Sequence, residues 1–418
     1  MGRSCGERGV SGRRTPPDAA RMKRATGAAL LTAPLLLFLL ISFVAPIGAF
    51  LWRAVSDTDV APVLPRTVVA LASWDGTGTP DEDAFAALVA DLREARARDR
   101  ETSAGLIPRA AARLNADKPG FRGLLPMTAR RAEAPFEGSA RDAVIAISEE
   151  WREAETWGAI RRAGGPLSSF HVLTALDLRQ DAMGSIRAAP EDQSVFRAVL
   201  VRSLWISLLV TAACLVLGWP IAWLIATAGG RASTLLLAAV MLPFWISLVV
   251  RTAAWMVLLQ REGVVNAALQ GAGLIEAPLP LMMNRFAVVL AMVHILLPFM
   301  VLPLVATFRA LDPRLPRAAA SLGAAPWRAF LRITLPLSLP GVGAGCILVF
   351  IQALGFYVTP ALLGGPNDQM LAWFVGFYAT RSVNWGLAAA LSLMLLVAVG
   401  LCVALYGKLA GFRRPGAA

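Results

Sequence analysis

Charge is scarce in this chain. Only 16% of its 418 residues are Asp, Glu, Lys or Arg, against about 25% in an average soluble domain. Histidine is scarcer still, with His171 and His294 alone. The four cysteines, Cys5, Cys214, Cys346 and Cys402, are far apart, and three fall inside apolar runs. Spacing of that kind gives neither a disulfide framework nor a metal site. HExxH is absent, and so is the GxxxxGK[ST] phosphate loop, since Gly407-Lys408 lacks both the upstream glycine and the following Ser or Thr. The reading is of a chain with no catalytic residues, no metal and no bound cofactor.

What the chain has in abundance is hydrophobic residues, at 56%. They gather in runs at residues 26–52, 198–228, 233–259, 286–308, 341–363 and 386–408. About 20 helical residues cross a hydrocarbon core of about 30 Å, so each run is long enough to be a span. The first is too long for the apolar core of a signal peptide, which has about 7–15 residues, and reads as an uncleaved helix bent at Pro34 and Pro46. The expected fold class is an all-α integral membrane protein of six transmembrane helices.

The net charge of +12 is unevenly spread. Residues 53–197 hold 22 of the 28 acidic residues but 19 of the 40 basic ones, so the positive excess lies beside the spans. That distribution fits topology better than nucleic-acid binding. Seven Lys/Arg precede the first span, Arg231 follows the second, and Arg309, Arg314, Arg317, Arg328 and Arg332 follow the fourth. Lys408, Arg413 and Arg414 follow the sixth. All fall on one side if both termini are cytoplasmic. Residues 1–25 are then a cytoplasmic basic segment, 53–197 a periplasmic soluble insert, 309–340 a cytoplasmic loop and 409–418 a cytoplasmic tail.

The insert repeats a helical pattern. Phe85, Leu88, Val89 and Leu92 share one face, and Val144, Ile147, Trp151 and Trp157 another, with charges opposite. A mainly helical domain follows, serving either packing and assembly or a ligand.

The segment "RAAASLGAAPWRAFLRITLPLSLPG", residues 317–341, is basic and turn-rich between two spans. Asp312 and Pro313 start a short helix, Gly323 ends it in a left-handed turn, and Pro326 starts a second carrying Trp327, Phe330 and Leu331. Pro336 and Pro340 are expected to stop that helix before the fifth span. Arg328 and Arg332, one turn apart, need an acidic neighbour, which could be lipid headgroups or a partner protein.

This segment resembles the cytoplasmic loop of permease subunits of bacterial ABC importers. The family pattern runs Glu-Ala-Ala, three residues, Gly, nine residues, Ile-x-Leu-Pro. Ala318 and Ala319, Gly323, and Ile333, Leu335 and Pro336 reproduce it at the right spacing. Arg317 stands where the family has Glu, and Ala325 where a capping Ser is common. The stretches "MLPFWISLVVRTAAWMVLLQREGVVNAAL" and "FYVTPALLGGPNDQMLAWFV" resemble the spermidine/putrescine-type branch.

The resemblance implies a type I importer fold in the bacterial inner membrane. It also implies a second permease subunit of different or identical sequence, a periplasmic substrate-binding protein, and cytoplasmic ATPase subunits that hold ATP and Mg. In that reading 317–336, with Trp327, couples the ATPase to the spans. Candidate pathway residues are Arg251, Trp255, Gln352 and Tyr357, with Arg202 and His294 the other ionisable groups at membrane depth. Glu262, Glu276 and Asp368 fall outside the spans, so no carboxylate awaits a cation there. Arg251 either serves the pathway or pairs with Glu262 or backbone carbonyls. Gln352 and Tyr357 have the simpler alternatives of interhelical hydrogen bonding and interfacial anchoring. Secondary transport and a membrane-tethered sensor remain rival functions.

Overall fold

The computed structural model describes residues 31–135, 138–181, 183–191 and 193–411. Residues 1–30 and 412–418, which take in most of the predicted cytoplasmic ends, lie outside them. The chain divides at residue 52 into two units. The first holds α1 (Leu31–Trp52), uncharged and apolar but for Thr32 and Ser42, with no buried side chain along its length. A π turn at Leu40–Val44 sits just ahead of Pro46. There the Ala45 N–H donates to Leu40 O, shifting the hydrogen-bond register where Pro46 leaves a carbonyl without its donor.

The second unit opens with the insert. Its helices are α2 (Pro65–Ala70), α3 (Glu82–Thr102), α4 (Leu106–Asp117), α5 (Phe121–Arg131), α6 (Ala140–Ile147), α7 (Ala154–Ala163) and α8 (Phe170–Ala175). A small antiparallel hairpin, β1 (Leu178–Gln180) with β2 (Ile186–Ala188), closes it. The periodic face of α3 is buried as its pattern requires, and meets Trp151 and Trp157 in a core of its own. Phe85 packs edge-on to Trp157 at 4.6 Å, and the two indoles lie 5.1 Å apart. Each indole N–H has an acceptor: Trp151 donates to Thr128 Oγ1 at 3.0 Å and Trp157 to Trp151 O at 2.8 Å. Buried tryptophans of this kind stabilise only when that N–H is satisfied.

The membrane part follows: α9 (Phe196–Thr227), α10 (Gly230–Met241), α11 (Leu248–Leu259), α12 (Val264–Gly271), α13 (Arg285–Ala310), α14 (Arg314–Ser321), α15 (Pro326–Leu354), α16 (Val358–Leu363), α17 (Leu371–Thr380) and α18 (Trp385–Gly411). The centre is the packing of α9, α13 and α15. Small residues allow it: a methyl group on Gly341 or Gly345 would come within 3 Å of Thr307 or Met300 on α13. Without water to drive helices together, such close approach is the main source of cohesion in lipid.

Two sequence expectations need correction. The run 233–259 is not one helix but a pair, Gly230–Trp245 and Leu248–Gly271, bent by 95°. Pro243 lies in a 3-10 turn, Leu242–Trp245, and Ile246 is extended, so the α-ladder cannot continue although residues 242–246 are all apolar. Among the described residues there are thus five helices long and apolar enough to span, six if the bent pair counts as one.

The fifth span does not occupy 341–363. It runs Pro326–Leu354 and stops at Gly355, and residues 358–363 form the separate α16. Pro336 and Pro340 do not interrupt it. A π turn at Phe330–Thr334 places the Leu335 N–H on Phe330 O, shifting the register just before Pro336.

Candidate functional site

The loop between α13 and α15 is built as its residues dictate. Asp312 Oδ1 accepts the Arg314 N–H at 2.8 Å and so caps α14. Its far end closes with Gly323 at φ +82°. There the Gly323 N–H reaches Ala320 O at 3.0 Å and the Ala324 N–H reaches Ala319 O at 3.0 Å. This paired arrangement satisfies carbonyls that a helix end otherwise leaves bare, and it needs a left-handed residue. Ala325 precedes the next helix with no side-chain cap, as the loss of a Ser there implies.

Leu315, Leu322, Trp327 and Leu331 are exposed on this loop, Leu322 to 88% and Trp327 to 60%. The Arg328 guanidinium lies 5.2 Å from the Trp327 ring. Arg314, Arg317, Arg328 and Arg332 surround these side chains, and all are exposed. Apolar tips rimmed by cations form a surface suited to a partner with apolar hollows and acidic edges. Ala318, Gly323 and Pro336 share the exposure, while Ala319, Ile333 and Leu335 are half-buried against the fold.

An anchor that the sequence reading missed lies beneath the loop. Phe330 packs edge-on to Trp219 of α9 at 5.0 Å, and Trp219 meets Phe308 of α13 at 5.2 Å. Trp223 stacks on Trp219 at 5.9 Å and also meets Phe308. The four-residue spacing of Trp219 and Trp223 signalled one helical face, but its partners were distant in sequence. Because α15 is unbroken, the exposed tryptophan and the span share one rigid rod.

The pathway candidates fall into two groups. Arg251 and Trp255 lie one turn apart on α11, just past the break. Trp255 Nε1 donates to His294 Nδ1 at 3.2 Å. Arg251 Nε and Nη1 are buried and have no hydrogen-bond partner. Glu262 is not its counter-ion: no ion pair joins them among the described residues, because α11 ends at Leu259 before the chain turns away. Gln352 and Tyr357 are exposed at the end of α15 and the start of α16, and Tyr357 lies over Gly376. A hydrogen bond between buried Thr252 and Thr359 hydroxyls, 3.2 Å, ties α11 to α16 and so brings the two groups to neighbouring segments.

Arg202 has a structural partner instead, donating to Gln369 O at 3.3 Å. Nearby, Arg285 pairs with Asp368 at 3.0 Å and the Leu371 N–H reaches Ser203 Oγ at 2.8 Å.

Comparison with known proteins places this architecture. Over 210 residues the chain is 36% identical to the spermidine/putrescine transport system permease protein PotB of Escherichia coli K12, covering 50% of this chain and 76% of that protein. The chain belongs to the ABC-importer permeases. Its branch is the spermidine/putrescine type. The inner membrane ABC transporter permease protein YdcU of the same organism is 35% identical over 233 residues, covering 51% of this chain and 72% of its own length. Among solved structures, a bacterial ABC transporter involved in the import of the acidic polysaccharide alginate aligns over 53% of this chain and 81% of that one, at 20% identity and a TM-score of 0.44. No family model matches. The permease is a multi-pass inner-membrane transport subunit, and importers of this kind work with an ATPase and a binding protein.

Proposed function

We propose that this permease moves a small polyamine-like solute inward, with both termini and residues 309–340 on the cytoplasmic side and the insert outside. The named relative is a spermidine/putrescine permease, and that is the support for the cargo class. ATP and Mg belong to the ATPase chains, and a second permease subunit, most simply a different one, completes the pore. Cargo is chosen by the periplasmic binding protein, so passage needs only weak contacts. Trp255 and Tyr357 offer aromatic faces to ammonium groups, and Gln352 an uncharged amide.

One observation carries the coupling role: the loop's exposed Trp327 stands on the same uninterrupted helix that packs against α9 and α13. A partner that closes around Trp327 would turn that helix as a lever. Arg317 replaces a carboxylate in this setting, so the ATPase groove should present an acid there.

A second reading has its own observation. The unpartnered Arg251 favours a cargo with a carboxylate or another anionic group. Uptake of labelled putrescine and of labelled glutamate by proteoliposomes holding the whole complex separates the two. ATP-dependent putrescine uptake supports the first, and glutamate uptake alone replaces it with the second.

A further inference from the structure

A crevice of about 360 Å³ lies between α9, α10 and α13. Ile221 and Ile225 line it from α9, Leu236 and Val240 from α10, and Leu297 from α13. It reaches Pro243, where the bent pair breaks. His294 is the one polar side chain in this lining, and its Nδ1 already accepts from the Trp255 indole at 3.2 Å. Leu224 of α9 and Ala239 of α10 also line the crevice and are exposed, so it opens outward between those helices. Walls this apolar do not hold water.

The other end of the crevice carries cations. Ser233 of α10 donates to Ile225 O at 2.6 Å and accepts from Arg309 Nη2 of α13 at 2.9 Å, so all three helices meet there. Arg309 is exposed, and so is Arg231, two residues before Ser233. Neither arginine forms an ion pair among the described residues. Asp312, the one acid between α13 and α14, has its Oδ1 on the Arg314 N–H instead. At about 1.5 Å rise per residue, Ser233 to Pro243 covers about 15 Å, half of a hydrocarbon core about 30 Å thick.

We propose that this crevice is a binding site for one anionic phospholipid, drawn from the leaflet on the side of the 309–340 loop. One acyl chain fills the crevice to the depth of a single leaflet, and the headgroup phosphate accepts from Arg231 and Arg309. A zwitterionic lipid offers the same chain but no net charge for the two cations, so it competes poorly. With the chain in place, α10 is braced against α9 and α13 as far as the break at Pro243. Beyond that break α11 carries Arg251 and Trp255, and Trp255 is held by His294 of the same lining. The lipid thus bears on the setting of the bent pair, whatever the transported cargo.

The test uses the complete importer in nanodiscs of phosphatidylcholine with a minor share of phosphatidylglycerol, released into mild detergent and weighed by native mass spectrometry. One phosphatidylglycerol per copy of this chain is expected to stay bound, in preference to the more abundant phosphatidylcholine. Ala239→Phe fills the crevice from an exposed position and should remove that lipid at unchanged melting temperature, whereas Ala239→Ser should keep it. Arg231→Gln, at the surface, should lower the preference for phosphatidylglycerol about fivefold. The proposal is overturned if no lipid stays, if the two lipids stay without preference, or if Ala239→Phe retains phosphatidylglycerol as the parent does. Cross-linking of Ala239→Cys to the second permease subunit in the assembled importer would also overturn it, because a protein span would then fill the crevice.

Discussion

Replacing Gly323 with valine tests the loop in a way that separates backbone from contact. A Cβ at this position would meet nothing within 4 Å, so the substitution removes no packing and makes no clash. The whole effect comes from φ +82°, which a β-branched residue adopts at a cost of about 2 kcal/mol. That corresponds to about a 30-fold shift against the native turn. Asn, which tolerates left-handed backbone, should lose little, and Ala about 1 kcal/mol.

The expected order of activity is therefore Gly, Asn, Ala, Val. It is read as ATPase stimulation by the permease in the reconstituted complex, with helix content from circular dichroism as a control on folding. The spans are held by α9, α13 and α15 and should not change. Full stimulation by Gly323→Val, or a ranking that follows side-chain size with Asn below Ala, would refute the turn-based reasoning.

Other predictions concern the joints of the fold. Gly386→Ala should lower the melting temperature through overpacking of about 1–3 kcal/mol against His171, and His171→Ala should relieve part of that loss. Burial, with the Arg113 charge adding to it, holds the His171 pKa down at about 3, from an ordinary value of 6.5. The folded pKa is depressed, so the unfolded chain takes up protons first. His171 therefore contributes stability that is present above about pH 6.5 and is lost as pH falls toward 3, at up to about 1.4 kcal/mol per unit. Melting curves from pH 7.5 to 5 should show that slope flattened in His171→Leu. Phe330→Ala should cost about 2 kcal/mol of packing on Trp219 and leave ATP hydrolysis less tightly linked to uptake. Ala325→Ser supplies a helix cap, and should slow hydrogen exchange at residues 327–331 by about 1 kcal/mol of local stability.

The legible parts of this molecule were those decided locally. Spans α9, α13 and α18 follow from unbroken hydropathy, and the turn at Gly323 from a glycine that only a left-handed position requires. The helices of the insert follow from Phe85, Leu88 and Leu92 at helical spacing, all buried. The illegible parts depend on competition between local rules. Pro243 breaks a long apolar run from within, whereas Pro336 fails to break one because a π turn precedes it. The Phe330 anchor and the His171–Gly386 joint bring together residues more than a hundred positions apart, which no periodicity encodes. Among the pathway residues, spacing related Arg251 to Trp255, and only the fold introduced His294 as the indole's acceptor.

The side of the membrane on which Trp327 lies, and what covers it there, decides the coupling account most directly. With the native cysteines replaced, Trp327→Cys is labelled by a membrane-impermeant maleimide in inside-out and right-side-out vesicles, with and without the ATPase subunits. The account predicts labelling in inside-out vesicles only, and its suppression once the ATPase is bound. Labelling from the outer face, or labelling indifferent to the ATPase, contradicts it.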